Sequence, residues 1–337
     1  MTRLPVRPGP QSRDPGTTLG PPVTTLHPRS TAPTAGWTGK SDDPRPPADR
    51  PRRTVPDGWA RAASRGFGPF TTELTLIGED GVRAVWNSRH HRKRSASPNG
   101  STWWAPRAIG WWMGVLFAIG SACFAVAALP GFASRVGATT DDTVYVVGSL
   151  FFTTAGLLQY GQVVGADDPA LHGAGIRLRR LVSWAPHRID WLAAAIQSVG
   201  TVFFNISTIH VLTTSATSTH ALNQAIWRPD ALGSICFLVS SYLSFAEVCH
   251  GSWRWLPRDL SWWITVGNLV GSVAFGVSAV ASKFVSADEL RSAGWTTLGT
   301  FVGGLCFLGA SILLLPERTL ETDTVESAAA DLLTRAT

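Results

Sequence analysis

The apolar residues of the rear two-thirds of the chain fall into six runs of about 20 residues, the length that crosses the hydrocarbon core of a bilayer. They lie near 109–129, 143–164, 189–212, 231–249, 261–284 and 295–315. A surface helix of a soluble bundle has a polar stripe, whereas runs such as GVLFAIGSACFAVAAL have none. The pattern therefore predicts an all-α membrane protein with six transmembrane helices.

One motif, Trp-x-Pro followed by a second Trp, stands at the start of each odd-numbered run. Its first tryptophans are Trp104, Trp184 and Trp255, and its second are Trp111, Trp191 and Trp262. Nine residues after the second tryptophan comes a glycine each time: Gly120, Gly200 and Gly271. Because so many offsets match, the sequence predicts an internal repeat.

The even-numbered runs repeat as well. The segments GSLFF, GSICF and GGLCF align, which places Gly148, Gly233 and Gly303 at equivalent positions. The predicted unit is a helical hairpin used three times, near 104–164, 184–249 and 255–315. Such parallel repeats are related by an axis along the membrane normal.

Each part of the motif has a physical role. Proline, which has no N–H group, suits the first turn of a helix, and the six tryptophans are predicted to anchor the spans at the headgroup level. The six aligned glycines allow neighbouring helices to approach closely. A phenylalanine four residues after each odd-run glycine lies on the same helix face and could fill the neighbour's notch.

The front of the chain has a different composition. Residues 1–66 are rich in Pro, Arg, Thr, Ser and Gly, which predicts a disordered tail. Residues 67–103 form a juxtamembrane region, in which Glu79–Gly81 is a candidate β-hairpin turn between alternating apolar residues. The membrane domain is expected to span 104–318, and residues 319–337 to form a second tail.

The distribution of charge predicts the orientation. Residues 1–108 carry a net charge of +9 and the remainder −3. Arginine and lysine are concentrated before the first run, between the second and third runs, and between the fourth and fifth. The positive-inside rule then places both termini in the cytoplasm and the protein in the cell membrane. No nucleic-acid motif accompanies the basic tail, so the expected partners are the bilayer, a second copy of the chain, and an unidentified protein that contacts the tail.

The segment WRPDALGSICFLVSSYLSFAEVCH (Trp227–His250), with its echoes IGSACF and VGSLFF, resembles the YrhK-like domain. This is a family of helical-hairpin membrane modules found in bacterial membrane proteins. The resemblance covers roughly residues 104–318. It implies a multi-pass membrane protein and brings no catalytic residue with it.

Polar residues inside the runs are the candidates for function. Gln197, Asn205 and Asn268 can either bond between helices or line a solute path. Glu247 and His250 form a Glu-x-x-His pair, but a di-iron bundle needs two such motifs with further glutamates. Pairing of Glu247 with Arg254 or Arg258 is therefore the preferred interpretation. No catalytic, cofactor or metal site is predicted.

Two classes of function are consistent with the sequence, together with one weaker alternative. The repeated packing residues, without charge at the centre of a span, favour a structural, sensory or regulatory membrane protein. The threefold hairpin with its polar residues favours a channel or transporter for a small neutral or weakly polar solute. An enzyme would have to depend on Glu247 and His250 alone, so no enzymatic activity is expected.

Overall fold

The structure, a computed structural model, describes residues 59–78, 83–89, 103–106, 108–165, 184–251, 253–287 and 289–335. Within these residues, six helices are long and apolar enough to cross a membrane. They are α1 (Ile109–Ala127), α2 (Ala138–Gly165), α3 (Ile189–Thr213), α4 (Arg228–Val248), α5 (Leu260–Ala281) and α6 (Ala293–Arg335). The prediction of a six-span helical membrane protein is confirmed.

Short elements extend some of the spans. A five-residue helix, Phe132–Val136, lies between α1 and α2. A four-residue helix, Thr219–Leu222, and a π-helical turn, Asn223–Trp227, lead directly into α4. Helix α6 passes through Pro316 and continues to Arg335, so much of the predicted tail at 319–337 has a helical backbone.

A tight turn that contains the proline precedes each odd-numbered helix. Before α1, the Ala108 nitrogen donates to the Ala105 oxygen over 2.9 Å. Pro106 occupies the second position of this turn, which its fixed φ suits. Equivalent bonds precede α3 and α5, from Arg188 to Ala185 and from Asp259 to Leu256. The prediction that proline lies in the first helical turn is therefore wrong, because each helix begins three residues later.

The helices pack in a closed ring that follows the order of the chain. Each helix contacts the one before and the one after it, and α6 contacts α1. Aliphatic side chains on these helices are exposed, among them Val199, Val202, Ile235, Val273 and Leu305. An apolar exposed surface of this kind suits contact with lipid, as expected of a multi-pass membrane protein.

The aligned glycines lie where the two helices of a hairpin cross. A Cβ atom added to Gly120 would lie 2.9 Å from the Gly148 oxygen and 2.6 Å from the Phe152 ring. The corresponding Cβ on Gly148 would lie 3.2 Å from the Gly120 oxygen. The same relation holds in the other hairpins, between Gly200 and Gly233 and between Gly271 and Gly303. Each glycine thus leaves the space that its neighbour's backbone and ring occupy.

A three-stranded antiparallel sheet precedes the helices. Its strands are β1 (Trp59–Phe67), β2 (Phe70–Gly78) and β3 (Arg83–Asn87), in the order β1-β2-β3. β2 pairs with β3 through Leu74 opposite Trp86, and the predicted turn at Glu79–Gly81 lies outside the described residues. The tail boundary at residue 66 is wrong. β1 begins earlier because its main chain pairs with β2, and this pairing does not require an apolar pattern in β1 itself.

The sheet packs on the end of the ring where α1 begins, which we call the sheet side. Phe67 and Phe70 pack against side chains of α3 and α4, including Ile189 and Leu243. Gly251, which follows α4 with φ of 82°, approaches the backbone of the β1–β2 turn so closely that an added Cβ would lie 2.5 Å from the Gly66 oxygen. The opposite end of the ring is the far side.

We expect Gly120→Ala to destabilise the fold by about 1–3 kcal/mol, because the new methyl group would meet backbone that cannot move aside cheaply. The measurement is the thermal unfolding of the detergent-solubilised protein. Gly276→Ala is the matched control, since nothing lies within 4 Å of an added Cβ there. Equal unfolding temperatures for the two variants would contradict the close crossing.

Candidate functional site: a polar cavity inside the helix ring

Six phenylalanines, one from each span, meet inside the ring, in a buried cluster that also includes Met113, Phe117 and Ala155. In α1, α3 and α5 they are Phe124, Phe204 and Phe275, whose ring centroids are 5.8–6.4 Å apart. In α2, α4 and α6 they are Phe152, Phe237 and Phe307, with separations of 5.8–6.1 Å. This six-phenylalanine cluster fills the middle of the ring.

On the sheet side of the cluster lies a cavity of about 80 Å³, enough for several water molecules. Side chains from all six helices line it, and it reaches from Phe237 and Phe307 to Arg89. Its polar lining includes Gln159, Gln162, Asp190, Gln197, Glu247 and Asn268. The interior of the ring is therefore closed by aromatic rings at its middle and hydrophilic towards the sheet.

Three buried carboxylates lie at the sheet-side end of the helices. Asp190, Glu247 and Glu317 are only 5%, 3% and 1% exposed. Each has a partner: Arg188 lies 2.6 Å from Asp190 Oδ2, Ser88 donates to Glu247, and Arg89 lies 2.7 Å from Glu317 Oε1. Such partners are needed because an uncompensated buried charge is strongly destabilising.

Arg89 links the sheet to the cavity. Its Nε lies 3.1 Å from both Ser261 Oγ and Glu317 Oε1, and Ser261 Oγ donates to the same glutamate oxygen over 2.6 Å. Arg89 also lines the cavity and follows β3 by only two residues. The segment that joins the sheet to the helices thus places a guanidinium group at the sheet-side end of the cavity.

His250 holds the sheet against the end of α4. Its Nδ1 is 2.8 Å from Thr72 Oγ1, and its Nε2 is 3.3 Å from Glu73 Oε2. Burial lowers the pKa of His250 below its usual value of 6.5, with Arg254 and Arg65 acting in the same direction, whereas Glu73 and Glu247 oppose the shift. Desolvation is the largest of these effects, so the docked imidazole is favoured in its neutral form.

Glu247 and His250 of the Glu-x-x-His pair have different neighbours. Glu247 faces Ser88, and His250 faces Thr72 and Glu73. Among the residues that the structure describes, no group of three or more His, Cys, Asp or Glu side chains could hold a metal ion. The sequence predicted Arg254 or Arg258 beside Glu247. Ser88 was not predicted as a partner, because it lies 159 positions away along the chain.

Two of the three predicted path residues reach the cavity. Gln197 and Asn268 line it, and Gln197 Oε1 accepts a bond from Ser240 over 3.2 Å. Asn205 lies elsewhere, between α3 and α2, where its Nδ2 is 2.5 Å from Thr153 Oγ1. Its Oδ1 is buried without a hydrogen-bond partner in the described structure. Asn205 comes directly after Phe204 in α3 and does not line this cavity, so its place in a solute path stays a prediction.

The six predicted anchor tryptophans occupy two environments. The first tryptophan of each motif is exposed, by 66% at Trp104, 79% at Trp184 and 68% at Trp255. Of the second ones, Trp191 and Trp262 are buried, and Trp111 is intermediate. Exposed indoles at one end of a ring suit the headgroup region, whereas the buried ones pack within the protein.

A positional signal for the carboxylates was present in the sequence. Gln162, Glu247 and Glu317 all stand 14 residues after an aligned glycine, at the same position of the predicted repeat. Because each lies at the end of a span, it resembles an ordinary interfacial residue. Nothing comparable marks Arg89 within the basic run that follows it.

Comparison of the chain with family models, curated proteins and solved structures finds no match.

We expect acidification to loosen the sheet. The pKa of His250 is lower in the docked state than in the free chain. The docked sheet is therefore most stable above pH 6.5, the ordinary pKa of histidine, and loses stability as the pH falls from there through the lowered pKa. Hydrogen exchange of the β2 amides, corrected for the intrinsic pH effect, measures this change.

His250→Asn is the control variant, because asparagine tolerates the left-handed backbone of this residue, with φ of 53°. It should remove most of the pH dependence while the sheet remains folded. An unchanged pH dependence in this variant would assign the loosening to another group.

Proposed function

We propose that the protein is a membrane transport protein for small polar solutes, seen with its path closed. The observation that supports this most directly is the cavity, which draws polar side chains from the helix ring to one interior space. Binding sites of transporters commonly lie between repeated helical units inside the membrane. The six-phenylalanine cluster would close the far-side path, as hydrophobic constrictions do in channels.

A second candidate function is sensory or regulatory. It is favoured by the dry centre of the ring and by the sheet, which docks through His250 and Ser88 onto two buried helix ends. In such a protein the sheet would report a change of state within the membrane, and no solute would cross. The two functions differ in one measurable quantity, the flux of solute.

We also propose that the three hairpins are copies of one unit. The tryptophan pairs of the motif support this, since their ring centroids are 5.0, 5.2 and 4.7 Å apart with interplanar angles of 71°, 69° and 71°. The three turns before α1, α3 and α5 carry equivalent hydrogen bonds. Membership of the YrhK-like family remains a proposal that rests on the residues of Trp227–His250.

The orientation is likewise proposed from charge. Arg89, Arg188, Arg254 and Arg258 lie on the sheet side. The sequence adds Arg92, Lys93 and Arg94 after Arg89, and these three lie outside the described residues. The far side carries Arg135, Arg228, Lys283 and Arg291. This difference favours a cytoplasmic sheet side in the cell membrane. A homo-oligomer and a protein partner for the tail remain predictions.

The transport proposal is tested by Phe152→Ala. The ring of Phe152 contacts those of Phe117, Phe124, Phe237 and Phe307, so its removal should weaken the hydrophobic closure and raise solute entry about tenfold. The measurement is entry of urea, guanidinium and acetate into proteoliposomes, with wild type and protein-free liposomes alongside.

Phe151→Ala is the matched control, because Phe151 is half-buried and outside the cluster. Removing a buried phenylalanine costs about 3–5 kcal/mol of stability. Thermal unfolding therefore checks first that both variants are folded. If a folded Phe152→Ala variant admits no solute faster than Phe151→Ala, the transport proposal fails and the regulatory function is favoured.

Orientation is tested with reporter domains inserted into two exposed loops. A periplasm-active reporter after Gly137, on the far side, should be active, and the same reporter after Trp184, on the sheet side, should be inactive. The reverse pattern would contradict the proposed cytoplasmic sheet side.

A further inference from the structure

We propose that the cavity binds a small guanidinium-type cation, and that Arg89 occupies the outer part of this site in the closed conformation. This inference rests on the proposed transport function and adds the class of solute. The guanidinium group of Arg89, which is attached to the sheet, would then occupy the place of the solute.

The acceptors that bind Arg89 are arranged to suit a guanidinium group. Two of its nitrogens, Nε and Nη2, lie 3.1 and 2.7 Å from one carboxylate oxygen of Glu317, and Nε also donates to Ser261. A planar group with several N–H donors suits acceptors arranged in this way. Arg89 itself is only 11% exposed, so these acceptors already accommodate a buried guanidinium group.

The second argument is that the cavity retains hydrogen-bonding capacity. Gln159, Gln162 and Asn268 line it, and none of them bonds to another group within the part of the chain that the structure describes. All three side chains are half-buried, so their amide oxygens can accept hydrogen bonds from a solute or water in the cavity. Aromatic rings at the inner end, those of Phe117, Phe237 and Phe307, would attract a cation further.

The third argument is the sign of the charge. Asp190 and Glu247 line the cavity, and Glu317 binds Arg89, which also lines it. Arg188 lies 2.6 Å from Asp190. An anionic solute in the cavity would face the carboxylates of Asp190 and Glu247, whereas a cation that displaced Arg89 would replace its charge beside Glu317. The site therefore favours a cation over a neutral or anionic molecule of the same shape.

The experiment compares labelled guanidinium, urea and acetate. They have similar sizes and planar central groups, but the first is a cation, the second is neutral and the third is an anion. Full-length wild type and Arg89→Ala are reconstituted into proteoliposomes. Vacating the site should raise guanidinium uptake about tenfold, the value of one charge-assisted hydrogen bond. Urea uptake should change by less than about twofold by the same reasoning, and acetate uptake should not rise.

Arg65→Ala is the matched control, because Arg65 is 59% exposed and pairs with Glu73 at 3.5 Å on the sheet. It should leave guanidinium uptake at the wild-type rate. Adding Glu317→Gln to Arg89→Ala should remove most of the gain, since the principal charged acceptor is lost. Arg89→Gln replaces Arg89→Ala if the smaller side chain prevents folding, and the wild-type ratio of guanidinium to urea uptake is measured in either case.

The outcomes separate the two proposals. If urea moves as fast as guanidinium through wild type and Arg89→Ala, the cation site is overturned while the transport function stands. If acetate enters faster than guanidinium, the proposed preference for a cation is wrong. If none of the three solutes enters faster than into protein-free liposomes, even with Phe152→Ala, both the transport function and the inference fail.

Discussion

The structure depends first on the contact of six phenylalanine rings at the centre of the helix ring. Inside a bilayer, lipid tails are as apolar as the side chains, so helices are held together by packing and hydrogen bonds more than by escape from water. Each ring pair adds about 0.5–1.5 kcal/mol beyond its buried area. The glycines that face the rings are part of the same contact, because a Cβ on Gly120 or Gly303 would occupy space that Phe152 or Phe275 now fills.

This aromatic centre also decides where polar groups can lie. Below it, towards the far side, Asn205 Nδ2 donates to Thr153 Oγ1 between two helices. Above it, the cavity is lined by amides and carboxylates, and it ends at Arg89. Because an unpaired charge is costly there, the buried glutamates require the partners that Ser88 and Arg89 supply. The sheet is therefore coupled to the interior of the membrane domain as well as packed against its surface.

The sequence predicted the spans well because length and apolar composition are local properties of a transmembrane helix. The aligned offsets also pointed to Gly120, Gly200 and Gly271, which lie at helix crossings. Of the three residues predicted for a solute path, Gln197 and Asn268 line the cavity and Asn205 does not. The position of a polar residue along its helix, relative to Phe204, determines which space it enters, and hydropathy alone does not contain that information. The bond between Arg89 and Glu317 joins residues 228 positions apart, and no local pattern indicates such a pair.

Only Ser88 separates β3 from Arg89. Docking of the sheet and binding of Arg89 at the cavity are therefore linked. Ser88 and Arg89 follow the strand directly and contact Glu247 and Glu317, while β2 is held through Thr72 and Glu73 at His250. Anything that draws Arg89 out of the cavity must strain the attachment of the sheet, and loosening the sheet must weaken the hold on Arg89. Such coupling is reciprocal by thermodynamic necessity. In the proposed transporter, protonation of His250 and entry of a cation would therefore favour the same change, release of Arg89 and of the sheet.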